Sequence, residues 1–377
     1  MAKKRFGILT AGGDCPGLNA VLRAAGKTLL GYGHELIGFE DGFLGILERR
    51  WRNLTNCELS GILTQGGTIL GSSNRDNPFR WSPTAHLPGG EPQTDCSDRV
   101  GEVFAELGIE GLIVVGGDGS MTMANRLMEE KGLKCIGVPK TIDNDLGATD
   151  VTFGFDTAVQ TATECIDRLH STAMSHHRAM VVEIMGRYAG WLTLYSGVAS
   201  GADVILLPEI PYDIDAICRV IKDRSKVGKR FSIVAVAEGA KPIGGELTVS
   251  KVIANSPEPL RLGGIAQRLA EEIETLTHVE ARATVLGHLQ RGGTPSAQDR
   301  LLSTGFGNLA AQLAMEGKWG MMASYRCGEF VPASLEDSIK NLRLVPVDHA
   351  YITAARAVGT SFGDEDATPL GMAGVTV

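Results

Sequence analysis

The stretch "GVPKTIDNDLG", residues 137–147, puts a lysine, a threonine and two aspartates within six positions, beside a proline that stops the short apolar run 133–138. Transfer of a phosphoryl group to an alcohol needs a base near the hydroxyl, a metal on the donor phosphates and cations for the charge that develops on the transferred group. Asp143 and Asp145 can divide the tasks of base and metal ligand, and Lys140 or Thr141 can touch the phosphoryl group. The same residues also make a good polar turn, since Asn-Asp is turn chemistry in its own right.

Two glycine-rich loops raise the same question. "TAGGDCPGLN", residues 10–19, follows the first apolar run and opens a helical pattern. Gly12, Gly13 and Gly17 let backbone N–H groups approach an anion at a helix N-terminus. The spacing is neither a P-loop nor a G-x-G-x-x-G, so a plain tight turn stands beside phosphate binding. "VGGDGS", residues 115–120, repeats the arrangement and adds Asp118, which can help hold a metal, and Ser120, which can donate to phosphate.

A further set lies downstream. His176, His177 and Arg178, then Met185, Gly186 and Arg187, then Glu238, Arg282, His288 and Arg291 each fall near the end of an apolar run. Arginine suits phosphate because its planar fork binds two oxygens at once. Glu238 can accept hydrogen bonds from sugar hydroxyls, and His288 or Arg291 can reach a sugar's phosphate. A lone arginine is more often a surface ion pair, but repeated cations at strand ends are harder to dismiss. The four tryptophans have no spacing of a stacking platform and read as packing. His176 and His177 lack a further ligand at zinc spacing.

The elements that must position these residues alternate. Apolar runs at 6–10, 36–39, 112–115, 135–138, 180–184, 204–207, 233–237 and 284–287 read as strands; 18–30, 99–107, 121–130, 157–172 and 262–275 have helical spacing. This pattern predicts an α/β protein of two doubly wound, Rossmann-like lobes, the first over residues 1–154 and the second beginning near Phe155, with the active site in the cleft between them. Residues 78–97 read as an irregular excursion, 335–342 as a helix and 364–377 as a tail.

Composition narrows the function class. The chain has 377 residues, 43% hydrophobic and 21% charged, which suits a globular protein of two domains. The net charge of -8, with no long basic run, argues against nucleic-acid binding. No stretch of 18 apolar residues and no signal-peptide core are present, so a cytoplasmic protein without a membrane partner is expected. Seven scattered cysteines form neither a disulfide framework nor a zinc site.

Taken in order, "LTAGGDCPGLNA", "GGDGS", "PKTIDND", "HHRAMVVEIMGRYAG" and "ARATVLGHLQRGGTPSAQDR" resemble the 6-phosphofructokinases over residues 5–330. The resemblance implies phosphorylation of the 1-hydroxyl of fructose 6-phosphate, with Mg²⁺ and a phosphoryl donor. It implies Asp143 as general base, Thr141 and Lys140 on the transferred group, and Asp118 and Asp145 on the metal. Gly13, Asn74, Arg75, Gly117, Asp118, Gly119 and Ser120 would cradle the donor. Sugar phosphate would meet Thr141, Asp143, Met185, Gly186, Arg187, Glu238, His288 and Arg291, with Arg178 and Arg282 reaching in from a neighbouring subunit of a homodimer or homotetramer. On this resemblance, 1–154 plus 290–335 form the donor lobe and 155–289 plus 336–377 the fructose 6-phosphate lobe.

The donor is read from two positions. In the resembled family a glycine at the place of Gly119 leaves room for ATP, where pyrophosphate-dependent members have aspartate. Lys140 stands where short bacterial ATP enzymes have glycine and is typical of pyrophosphate enzymes and of a mixed ATP-using branch. ATP is the expected donor, and pyrophosphate the alternative. Asn74 replaces an arginine, with Arg75 one place later, and Met123 replaces a glycine near the adenine. Arg23, Lys226, Lys229 and Arg230 lie near the positions of an effector site, but exposed cations after a helix are ordinary. A catalytically silent sensor would have lost Asp143, and a lipid or NAD kinase would leave "PKTIDND" and "MGR" unexplained.

Overall fold

The computed structural model describes residues 2–84, 89–252 and 260–364. The expected tail beyond residue 364 lies outside the described residues, as do residues 85–88 of the excursion. The strands are β1 (Arg5–Thr10), β2 (Glu35–Phe39), β3 (Trp51–Asn53), β4 (Ile109–Gly116), β5 (Cys135–Pro139), β6 (Ala179–Ile184), β7 (Val204–Leu206), β8 (Ser232–Ala237), β9 (Val249–Val252), β10 (Leu260–Leu262), β11 (Ala281–Val285), β12 (Met321–Arg326) and β13 (Glu329–Ser334). The helices are α1 (Leu18–Gly31), α2 (Phe43–Leu47), α3 (Asp98–Leu107), α4 (Asp118–Lys131), α5 (Phe155–His176), α6 (Trp191–Ala199), α7 (Ile214–Lys226), α8 (Ile265–Thr277), α9 (Ala297–Glu316), α10 (Leu335–Ile339) and α11 (Ala350–Ala357).

One sheet runs β13-β12-β5-β4-β1-β2-β3 and is parallel apart from its outermost strands, β3 and β13. A second runs β11-β6-β8-β7 and is parallel throughout. Helices cover both faces, so the strands are apolar on both sides. Ile8, Ile113, Val115 and Val138 face one core, while Leu9, Phe39, Leu112 and Val114 face another across the sheet. In the second sheet Val182, Ile184 and Ile205 join the first core, and Val181, Leu206 and Val234 form a third. The two lobes therefore share one continuous apolar layer.

Several boundaries differ from the sequence expectation for physical reasons. α4 starts at Asp118 rather than Met121, which brings Asp118 and Ser120 into the first helical turn. β11 ends at Val285, and residues 287–291 tighten into a 3₁₀ turn that carries His288 and Arg291. Periodicity missed α9 because its buried face mixes Leu302, Phe306, Ala310 and Ala314 with Asp299, Ser303 and Gly307, while Leu301 on the outer face is exposed, so the apolar contrast between the faces is weak. This helix packs on α1 and lies between the lobes, adding β12 and β13 to the first sheet through β5. α10 packs on α4, with Leu335 in the first lobe's core, whereas α11 packs on α6.

Candidate active site

Open α/β sheets carry ligands beyond the carboxyl ends of their strands. Here the ends of β1, β4 and β5 in one lobe and of β6, β8 and β11 in the other supply the expected residues. After β1, Gly12 has φ of 83°, a conformation that suits glycine, and its N–H donates to Ser73 O at 2.9 Å. Ser72 Oγ returns a bond to Gly12 O at 2.5 Å. A Cβ on Gly13 would lie 2.6 Å from Arg291 Nη1, so glycine there permits the close approach of a cation from beyond β11.

Gly117 caps α4 in an extended conformation, and Asp118 and Gly119 open the helix exposed to the cleft. A Cβ on Gly119 would meet nothing within 4 Å. Ser120 is buried, with its hydroxyl 3.7 Å from where a Gly12 Cβ would stand. Asn74 and Arg75 are exposed on the rim of the Ser72–Ser73 loop, where the Arg75 N–H donates to Ser73 Oγ at 3.3 Å.

Pro139 ends β5, and Lys140 turns inward. Its Nζ is buried and donates to Gly13 O at 2.6 Å, and burial lowers its pKa. Asp143 donates its N–H to Thr141 Oγ1 at 3.0 Å, while its Oδ1 is buried without a protein partner among the described residues. Burial pushes the Asp143 carboxyl up; the Arg291 and Lys140 cations oppose that, Asp118 adds to it, and Arg187 opposes it again. Asp145 is pushed up to about 7, by burial first and then by the charges of Asp143 and Asp118. Charged groups of both lobes thus act on the Asp143 carboxyl: Lys140 and Asp118 from one, Arg187 and Arg291 from beyond the strands of the other.

Asn144 holds φ of 53° between the two aspartates. A left-handed backbone at a non-glycine residue costs about 1–3 kcal/mol and persists where its surroundings over-determine it. Its Oδ1 accepts the Thr152 N–H at 3.0 Å, and Thr152 Oγ1 donates to Thr141 O at 2.7 Å. The loop is thus braced from behind.

Across the cleft, β6 runs into Met185, Gly186 and Arg187. Gly186 has φ of 139°, and a Cβ would come within 2.7 Å of Ala189 O. The Arg187 N–H donates to Glu238 Oε1 at 3.1 Å, and burial followed by the Asp143 charge pushes Glu238 up to about 6. His288 is exposed on the 3₁₀ turn, and Arg291 Nη1 donates to Asp14 O at 3.2 Å.

Arg178 and Arg282 are not brought to this cleft. They flank the starts of β6 and β11, where both pair with Glu280, and Arg282 also pairs with Glu274 at 3.5 Å. Six residues of β6 span about 20 Å, so both arginines face away from their own chain's site. Sequence reasoning missed Arg343, which lies behind the Asn144 and Asp145 carbonyls, and Asp299, which holds the N-terminus of α5. Neither carries a local signal, because each acts on backbone groups remote in sequence.

All seven cysteines are free thiols. No helix among the described residues is long and apolar enough to cross a membrane.

The sequence model of the family described as Phosphofructokinase matches residues 5–314. The chain is 50% identical over 363 residues to a Clostridium perfringens protein named ATP-dependent 6-phosphofructokinase 2, covering 96% of this chain and 99% of that one. It is 47% identical over 360 residues to a Streptomyces coelicolor protein named pyrophosphate–fructose 6-phosphate 1-phosphotransferase, covering 95% of this chain and 100% of that one. Phosphofructokinase from Saccharomyces cerevisiae superposes with a TM-score of 0.74 at 29% identity, over 90% of this chain and 45% of that one. A family match over most of the chain, and relatives near half identity over almost all of it, make this chain a member of the phosphofructokinase family.

Proposed function

We propose that this chain transfers the terminal phosphoryl group of ATP to the 1-hydroxyl of fructose 6-phosphate, giving fructose 1,6-bisphosphate and ADP in glycolysis. The Clostridium perfringens and Chloroflexus aurantiacus relatives, both named for ATP-dependent 6-phosphofructokinase activity, support the reaction and the donor. The observation that carries the reading is Asp143: a buried carboxylate oxygen without a protein partner among the described residues, with Lys140, Arg187 and Arg291 acting on its charge. Such an oxygen keeps its lone pairs for a substrate hydroxyl.

In this reading the sugar's O1 bonds to the terminal phosphorus as the bond to the bridging oxygen breaks, and the hydroxyl proton passes to Asp143. Lys140 and the Thr141 hydroxyl meet the charge on the transferred group. Gly13, Gly117, Asp118, Gly119 and Ser120 line the donor, with Asn74 and Arg75 at its rim. Met185, Gly186, Arg187, Glu238, His288 and Arg291 hold the sugar phosphate.

Mg²⁺ fits the donor set. Among the described residues no three His, Cys, Asp or Glu side chains group closely enough to enclose a metal. Two carboxylates, Asp118 and Asp145, suit a hard cation that draws its other oxygens from phosphate and water. When bound, it would neutralise charge on the donor phosphates.

Arg178 and Arg282 complete the sugar-phosphate site of a neighbouring subunit, which makes the working form a homodimer or homotetramer. The enzyme is cytoplasmic and takes no nucleic-acid partner in this reading.

Pyrophosphate is the second donor considered, on the strength of Lys140 and of the Streptomyces relative's name. Initial rates with fructose 6-phosphate and Mg²⁺, comparing ATP and pyrophosphate at matched concentrations, test the choice. Turnover with ATP is expected; turnover with pyrophosphate alone would overturn the donor assignment.

A further inference from the structure

The base loop and the sugar-phosphate loop belong to different lobes, yet a short segment beyond the matched family region, through Arg343 and Val345, reaches both. The Arg343 N–H donates to Asp145 O at 2.7 Å, and Arg343 Nη1 donates to Asn144 O at 3.2 Å. One residue thereby holds two successive carbonyls of the loop that carries Asp143, including that of Asn144, whose backbone is left-handed.

The other side of the same segment is fixed to the second lobe. Arg343 O accepts Trp191 Nε1–H at 2.7 Å, and the guanidinium lies 4.2 Å from the Trp191 ring centre. Two residues on, the Val345 N–H donates to Glu209 Oε1 at 2.9 Å. That oxygen also accepts the Gly190 N–H at 2.9 Å, at the end of the loop carrying Gly186 and Arg187. Trp191, Glu209 and Val345 are buried or half-buried, so these bonds compete little with water.

We propose that residues 341–345 form a strap between the lobes, and that Arg343 is a positioning residue that sets the base loop relative to the sugar-phosphate loop. This rests on the reading of Asp143 as base and Arg187 as a sugar-phosphate ligand. Neither Arg343 nor Glu209 touches substrate in it. Their effect is geometric, and misplacing reacting groups by about 1 Å costs about 10²-fold in rate.

The test is a double-mutant cycle in steady-state kinetics on the full chain. Arg343→Ala is expected to lower kcat about 10²-fold while changing KM for ATP less than about threefold. In the Asp143→Asn background the same change should cost less than about threefold, because the loop it positions no longer holds a base. Arg343→Lys, which keeps a charge over Trp191 but loses the fork, should fall between Ala and wild type.

Where Arg343→Ala does not fold, Glu209 gives an independent reading. Glu209→Gln keeps an oxygen that can accept both N–H groups and should stay within about threefold of wild type, whereas Glu209→Ala should raise KM for fructose 6-phosphate at least about tenfold. Equal effects of the two Glu209 variants would overturn the strap. So would a multiplicative loss from Arg343→Ala in the Asp143→Asn background. Near-wild-type turnover of Asp143→Asn alone would overturn the base assignment instead, and the strap with it.

Discussion

At Asp143 burial and charge oppose each other: desolvation drives the carboxyl up while Arg291 and Lys140 draw it down. As the proposed base, Asp143 would act mainly on the transition state. Asp143→Asn is therefore expected to lower kcat by about 10²- to 10⁴-fold with little change in either KM, which initial-rate kinetics would establish. Gly119 makes a second, separable prediction. A side chain at this position enters open space, so Gly119→Asp should fold normally, and its carboxylate would stand where the donor's charge is to be held. We expect kcat/KM for ATP to fall at least about tenfold, a loss of about 1.4 kcal/mol in transition-state binding. A variant that uses ATP as well as wild type would remove Gly119 from the donor site. Both candidates were legible in the sequence, because each lies in a short polar stretch that closely follows an apolar strand.

The helix α9 works at a larger scale. Its Asp299 is fully buried and accepts the Gly154 N–H at 2.9 Å, the Thr157 N–H at 2.8 Å and the Thr157 hydroxyl at 2.5 Å. The carboxylate thereby caps α5 at the positive end of its dipole, where the chain passes from one lobe to the other. Burial nonetheless raises its pKa from 3.8 to about 6, only partly offset by the Thr157 and Gly154 donors. The folded state therefore binds this proton more tightly than the unfolded chain does. The stability this group contributes is fully present below about pH 4, falls as pH rises to about 6 and is flat above that. The difference in unfolding free energy between wild type and Asp299→Asn, measured in urea, should decline across that window; a rise across it would contradict the assignment. None of this was visible in the periodicity of α9. A helix whose buried face carries Asp299, Ser303 and Gly307 shows little apolar contrast between its faces, and the donors that Asp299 accepts lie 145 and 142 residues away.

For the whole molecule, the shared apolar layer holds a mainly parallel and a wholly parallel sheet with the carboxyl ends of their parallel strands facing one cleft, and leaves Arg178 and Arg282 at the far end of the second sheet. If they serve a neighbour's site, each site needs Asp143 from one subunit and the arginines from another. Asp143→Asn subunits mixed with subunits carrying Arg178→Ala and Arg282→Ala should then regain activity that neither form has alone. No gain in hybrids, confirmed as mixed assemblies, would mean that the site belongs to one chain. Arg282 is exposed in its ion pair with Glu280, so its loss alone should leave the unfolding midpoint almost unchanged, whereas Arg178 is half-buried in its own pair with Glu280.

By itself the sequence determined the α/β class, where the strands end and which charged candidate residues follow those ends. Local patterning and turn composition suffice for these, since apolar runs closed by glycine, proline and polar residues report where strands stop. Tertiary structure decided which of those groups meet. It placed Arg291 against Gly13, Arg187 and Glu238 opposite Asp143, and Arg343 behind Asn144, while keeping Arg178 and Arg282 apart. The reason is physical: such proximities, and the shifted acidities of Asp145 and Glu238 that follow, come from burial between two separately wound lobes.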